Sequence, residues 1–158
     1  MKTLRLIMLP VALTGLSSAA LAAEGGLSHS ELEALLNQAE QYGFSHYEEI
    51  SVDDGSRLEL EGWREDGWQL DVEMQIEDGS LVHEEQHKAD GQIPYWSLTA
   101  DELRQALASA REAGLQRFEQ LDVDDDEHLE IEGYNAQNRE IELRLDGDDF
   151  SVTGVEND

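Results

Sequence analysis

No cysteine occurs in the 158 residues, which excludes a disulfide framework and also lipid attachment through an N-terminal cysteine. The fold must be held by packing alone. Cationic side chains are scarce too: 10 Lys and Arg stand against 37 Asp and Glu, a net charge of −27. Such a charge repels nucleic acid and anionic lipid, which removes both from the expected partners. The acids are spread along the chain, as in exported proteins of salt-loving bacteria, where salt screens the self-repulsion. Catalytic signatures are missing as well. There is no cysteine nucleophile, no G-x-S-x-G elbow and no glycine-rich phosphate loop. Carboxylate pairs are too abundant to carry information about glycosidase-type chemistry. No cofactor is implied.

Long apolar runs are limited to one. Lys2 and Arg5 precede Leu6 to Leu16, and Ala20-Leu21-Ala22 gives an A-x-A site before Ala23. Residues 1–22 therefore read as a cleaved secretory signal, the run being too short and too broken by Pro10 for a membrane anchor. Export to the periplasm or the medium is expected, with no membrane contact after cleavage. Losing Lys2 and Arg5 would leave 8 basic residues against 37 acids, a net −29.

What is present is a repeat. Ser28-His29-Ser30-Glu31 and Thr99-Ala100-Asp101-Glu102 are both capping boxes, offset by 71 residues (99 − 28 = 71). At the same offset Leu27 and Leu32 match Leu98 and Leu103 as hydrophobic staples, and Gly43 matches Gly114 as a left-handed helix end. Apolar positions 32, 35, 36 and 39, and 103, 106, 107 and 110, give each helix one buried stripe. Beyond the glycines the period becomes two. Leu58, Leu60 and Gly62 alternate with acids, as do Leu129, Ile131 and Gly133. Trp68 to Ile76 and Ile141 to Leu145 continue the pattern, and short strands are expected near 47–52, 118–123, 81–82 and 150–152. Turns at Asp53-Asp54-Gly55, Glu65-Asp66-Gly67, Asp78-Gly79 and Asp146-Gly147 separate the strands. The expected class is α+β, two tandem repeats over residues 27–88 and 98–158 joined by a linker at 89–97. Each repeat is one helix packed on a three- to four-stranded antiparallel sheet whose other face is polar and open.

The stretches Tyr42-Gly43-Phe44-Ser45-His46-Tyr47-Glu48-Glu49-Ile50 and Val72 through Val82 resemble the glycine-to-strand and strand-turn-strand segments of the PepSY family. The resemblance covers nearly all of residues 28 to 158, twice over, and the second copy departs from it after Leu145. It implies an exported binding or regulatory module, sometimes restraining a peptidase, with no catalytic residues to transfer. A tandem pair is also similar in architecture to the β-lactamase inhibitor protein, whose paired sheets form a concave binding face. That protein relies on disulfides, which this chain cannot form.

One motif points elsewhere. His83-Glu84-Glu85-Gln86-His87 matches the H-E-x-x-H of zinc proteases, with His83 and His87 as ligands and Glu84 as base. The repeat places it on a strand, where residues four apart are separated by about 13 Å, too wide for one zinc. Ile93 also stands where the extended motif needs a third histidine. Asp122-Val123-Asp124-Asp125-Asp126 resembles the start of a calcium loop, but Glu127 replaces the required glycine and Gly133 the bidentate glutamate. Weak cation association at a charged hairpin tip is the expectation there. His29, His46 and His128 have no partners at ligand spacing.

Two features remain for a partner, expected to be another exported protein or peptide. Tyr95 and Trp96 lie in the linker, either as exposed anchors or, the favoured reading, packed between the halves. Glu59, Glu61, Asp71, Glu73, Glu130, Glu132, Glu140 and Glu142 should stand in rows on the open face, interrupted by Arg144, either as a seat for a basic peptide or peptidase loop or, the favoured reading, as solvated surface. Trp63 and Tyr134 occupy matching positions beside the hairpin turns, core-edge residues unless exposed.

Overall fold

The computed structural model describes residues 25–88, 92–125 and 128–157. The expected leader, residues 89–91 of the linker, and Asp126-Glu127 lie outside them. Ten strands and two helices follow one another as β1 (Leu27–Ser28), α1 (His29–Ala39), β2 (Phe44–Asp53), β3 (Arg57–Arg64), β4 (Trp68–Gln75) and β5 (Leu81–Lys88), then β6 (Leu98–Thr99), α2 (Ala100–Glu112), β7 (Arg117–Val123), β8 (His128–Tyr134), β9 (Glu140–Asp146) and β10 (Val152–Asn157).

Both helices start where the capping residues dictate. The Ser28 hydroxyl accepts from the Glu31 amide at 3.4 Å while the Ser28 amide donates to the Glu31 carboxylate at 2.9 Å. Thr99 and Glu102 repeat the exchange at 3.3 and 2.8 Å. Helix α1 runs into a 3₁₀ turn, Glu40–Tyr42, which ends at Gly43 with φ of 91°. The stripe residues Leu32, Leu35, Leu36 and Ala39 of α1, and Leu103, Ala106, Leu107 and Ala110 of α2, are all buried. They meet Ile50, Leu58, Leu60, Leu70, Val72 and Met74 from one half of the sheet and Leu121, Leu129, Ile131, Ile141, Leu143 and Leu145 from the other in a single core. Arg104 of α2 ties the helices together, donating to Glu40 at 2.8 Å and Asn37 at 3.2 Å.

The strands form one antiparallel sheet in the order β10-β9-β8-β7-β2-β3-β4-β5. Its middle is the pairing of β2 with β7, where Ile50 lies opposite Leu121, flanked by Glu49 with Asp122 and Ser51 with Gln120. The short strands cross over: β1 pairs with β7 through Leu27 and Phe118, and β6 with β2 through Leu98 and Tyr47. These pairs are related by the same 71-residue offset (98 − 27 = 71, 118 − 47 = 71), which makes the sheet centre pseudo-symmetric.

Two strands differ from expectation. The strand expected at Leu81-Val82 extends through Lys88, and all eight of its residues are exposed. A one-sided edge strand has no buried face to impose alternation, so its polar sequence hid it. The strand expected from Phe150 starts only at Val152. Phe150 instead adopts φ of 57° and buries its ring, its amide bonding the Asp146 carbonyl at 2.9 Å.

Candidate functional site: the open acidic face

The sheet face away from the helices is the chemically distinctive surface. The registers align its side chains into two rows that cross the seam between the halves. One runs Glu85, Asp71, Glu61, Glu49, Asp122, Glu130 and Arg144. The other runs His83, Glu73, Glu59, Ser51, Gln120, Glu132, Glu142 and Glu156. Neighbouring strands are about 4.8 Å apart, so directly opposite carboxylates repel.

Cations hold the two ends. Arg57 bonds to Asp53 and Glu73. The oxygens of Asp53, Glu59 and Glu73 come within 4.8 Å of one another, and the Arg57 guanidinium already provides the positive charge for that group. Arg144 reaches Glu130 at 3.0 Å, Glu142 at 2.6 Å and Glu156 at 2.8 Å. Between these ends, Glu48, Glu49, Glu61 and Asp122 gather at the seam, and among the described residues no Lys or Arg pairs with them. Partial burial, then repulsion from neighbouring carboxylates, pushes the carboxyls of Glu48, Glu49, Glu61 and Asp122 above their ordinary range, the neighbours of Asp122 being Asp124 and Glu130. Glu59 and Glu132 are raised for the same reasons.

The aromatic candidates separate. Trp63 is buried, 5% exposed, its ring edge-on to that of Trp96 at 5.5 Å. The linker thus closes over Trp63 and removes it from contact with a partner. Tyr95 does not pack between the halves as expected: it is 80% exposed, and its hydroxyl reaches the Asp125 carbonyl at 3.4 Å. The turn at Pro94 to Ser97 explains this, since committing Trp96 inward leaves its neighbour pointing out. Tyr134 is half-buried beneath Arg117, whose guanidinium carbon lies 4.6 Å from the ring centroid.

The H-E-x-x-H stretch forms no metalloprotease site. On β5 the side chains alternate, so His83, Glu85 and His87 share the open face while Glu84 lies on the other. Both imidazoles turn to Glu85, at 3.1 and 3.2 Å, and Glu84 accepts from the Gln86 amide at 2.5 Å. The motif's glutamate is therefore on the wrong side of the sheet to serve its histidines. Of the calcium-like stretch, Asp122 belongs to the acidic row, and Asp124 accepts from the His128 amide at 3.0 Å as an ordinary turn cap.

The place of Glu48, Glu49 and Asp122 on the open face was not read from the sequence, which marked Asp122 only as part of a calcium-like stretch. The bulges around Ser45 and Glu48 break the alternation of β2, and its pairing with β7 has no local signature.

Fold and face together define a small α+β domain, with its helices on one side of an antiparallel sheet and rows of carboxylates on the other, bridged by Arg57 and Arg144 at the ends. The chain belongs to the PepSY family: the family model for the "Peptidase propeptide and YPEB domain" matches residues 6–85. A chain from Clostridium difficile 630 assigned as a lipoprotein is similar at 14% identity, over 87% of this chain and 98% of its own, with a TM-score of 0.43. The YpeB C-terminal domain of Bacillus megaterium is similar at 14% identity, over 80% of this chain and 64% of its own, with a TM-score of 0.29. No curated protein matches the chain. Among the described residues no helix is long and apolar enough to cross a membrane.

Proposed function

We propose that this protein is an exported, non-catalytic binding module of two tandem PepSY-like repeats, residues 27–88 and 98–158, that regulates a cationic exported partner, a peptidase being the class the family description suggests. The observation that carries the reading is the seam. Four carboxylates, Glu48, Glu49, Glu61 and Asp122, gather there with no Lys or Arg paired to them among the described residues, so an incoming cationic surface relieves repulsion as well as adding contacts. The repeat reading is supported by the shared 71-residue offset of capping boxes and strand registers. The exported reading is supported by the leader-like composition of residues 1–22.

The test is affinity capture from a periplasmic and culture-supernatant extract, with the chain and its Glu49→Gln/Glu61→Gln/Asp122→Asn variant immobilised in parallel. A protein held by the wild type at high salt and lost by the variant is the expected result. Capture of basic proteins only at low salt, equally by both, would count against a specific partner.

A further inference from the structure

Among the described residues the sheet has two free edges, β10 and β5, and they are treated differently. Strand β10 is blunted: its register slips between Val152 and Gly154, Thr153 bonds back to the Arg144 carbonyl at 3.1 Å, and Arg144 fastens Glu156. Strand β5 slips once as well, at Val82, but from His83 to Lys88 it pairs with β4 residue for residue. Its eight residues are all exposed, and among the described residues only β4 borders it. That regular stretch presents a row of unpaired amides and carbonyls, about 20 Å long at roughly 3.3 Å per residue. Three of the five exposed large hydrophobic residues, Trp68, Leu81 and Val82, also lie on β4 and β5.

We propose that β5 is a docking edge for an extended, cationic segment of a partner, which adds to the sheet as a further strand. The charge selects the occupant. A second copy would bring another chain of net −27 against this one. A residue placed opposite Glu85 on the open face would instead meet the end of the row Glu85, Asp71, Glu61 and Glu49. Lysine or arginine at alternate positions satisfies that row, while main-chain bonds to the edge supply affinity independent of sequence. This rests on the reading of the chain as a binder of cationic partners and adds where an extended part of the partner seats.

The experiment is amide exchange followed by NMR on the full chain, using a peptide that alternates lysine and valine and matches the 8 residues of β5. A glutamate–valine peptide is the control. Binding of the lysine peptide alone, with exchange slowed at every second amide of 83–88, is expected. The exposed substitution Glu85→Lys should weaken that binding about tenfold. Binding with changes confined to the open faces of β2, β3, β7 and β8 would overturn the edge proposal and leave the face reading standing. Slowed β5 amides that depend on protein concentration without peptide would overturn it in favour of self-association. No binding of either peptide would overturn it as well, while the seam variant tests the face reading separately.

Discussion

Gly62 and Gly133 sit where no other residue fits. A Cβ on Gly62 would lie 2.1 Å from the His46 carbonyl oxygen, and one on Gly133 would lie 2.0 Å from that of Arg117. In both places the neighbouring strand bulges, at Ser45 and at Glu119, and its backbone presses onto the glycine. Gly62→Ala and Gly133→Ala should each lower stability by about 3 kcal/mol, at the upper end of overpacking costs because the clash is with backbone. Urea denaturation of the two variants measures this, and a change under about 0.5 kcal/mol would show that the bulges relax freely. The alternating pattern marks both glycines as inward-facing, yet nothing local announces the bulge that demands them. The aromatics teach the same lesson. Trp96 and Tyr95 are adjacent and alike in the sequence, but one is half-buried with its ring against Trp63 and the other is 80% exposed. Trp96→Ala should therefore cost about 2–3 kcal/mol, from lost burial and the ring pair, while Tyr95→Ala stays within about 0.5 kcal/mol.

Helices and inner strands were legible because one-sided burial stamps a period on them. The stripes of α1 and α2, the capping boxes and the alternation of β3, β4, β8 and β9 all agree with the structure. Where burial is absent or the register slips, the pattern fails: β5 has no buried residue, β2 carries two bulges, and the turn before β10 hides a left-handed Phe150. The open rows were partly legible, since acids alternating with buried apolar residues must face outward. Their continuity across the seam was not, because the β2–β7 pairing joins residues some 71 apart in the chain with no local cue to it (121 − 50 = 71 for the central pair Ile50 and Leu121). The caps offer a test at this scale. Ser28→Ala and Thr99→Ala each remove the acceptor of a helix-start amide and should cost about 1 kcal/mol. Hydrogen bonds from these hydroxyls and amides also hold the Glu31 and Glu102 carboxyls below their ordinary 4.5, so the alanine variants should lose part of that depression, measurable by NMR titration.

At the scale of the whole molecule, the two groups of perturbed acids act on stability in opposite directions. Glu31 and Glu102 have lowered values, so their contribution is present above about 4.5 and is lost as pH falls through their folded values. Glu48, Glu49, Glu59, Glu61 and Glu132, raised from 4.5, and Asp122, raised from 3.8, bind protons more readily folded than unfolded. Stability therefore falls as pH rises through their folded values and is regained as pH drops back toward the ordinary carboxylate range. Asp78, Glu85 and Asp149, all at exposed positions, are lowered as well, so six raised carboxyls stand against five lowered ones, and the net −27 adds general repulsion at neutral pH. Thermal unfolding followed by circular dichroism should show Tm increasing as pH is lowered from neutral to about 5, then decreasing below about 4 as the caps are protonated. Added salt should raise Tm at neutral pH and have a smaller effect near pH 5, because protonation has already removed much of the charge that salt screens. The seam variant Glu49→Gln/Glu61→Gln/Asp122→Asn should flatten the neutral-to-acid part of the profile while leaving the fall below pH 4 in place. A Tm that declined steadily from neutral to acid pH in the wild type would mean that the seam carboxylates are not held under repulsion, and would remove the physical basis for a cation-seeking face.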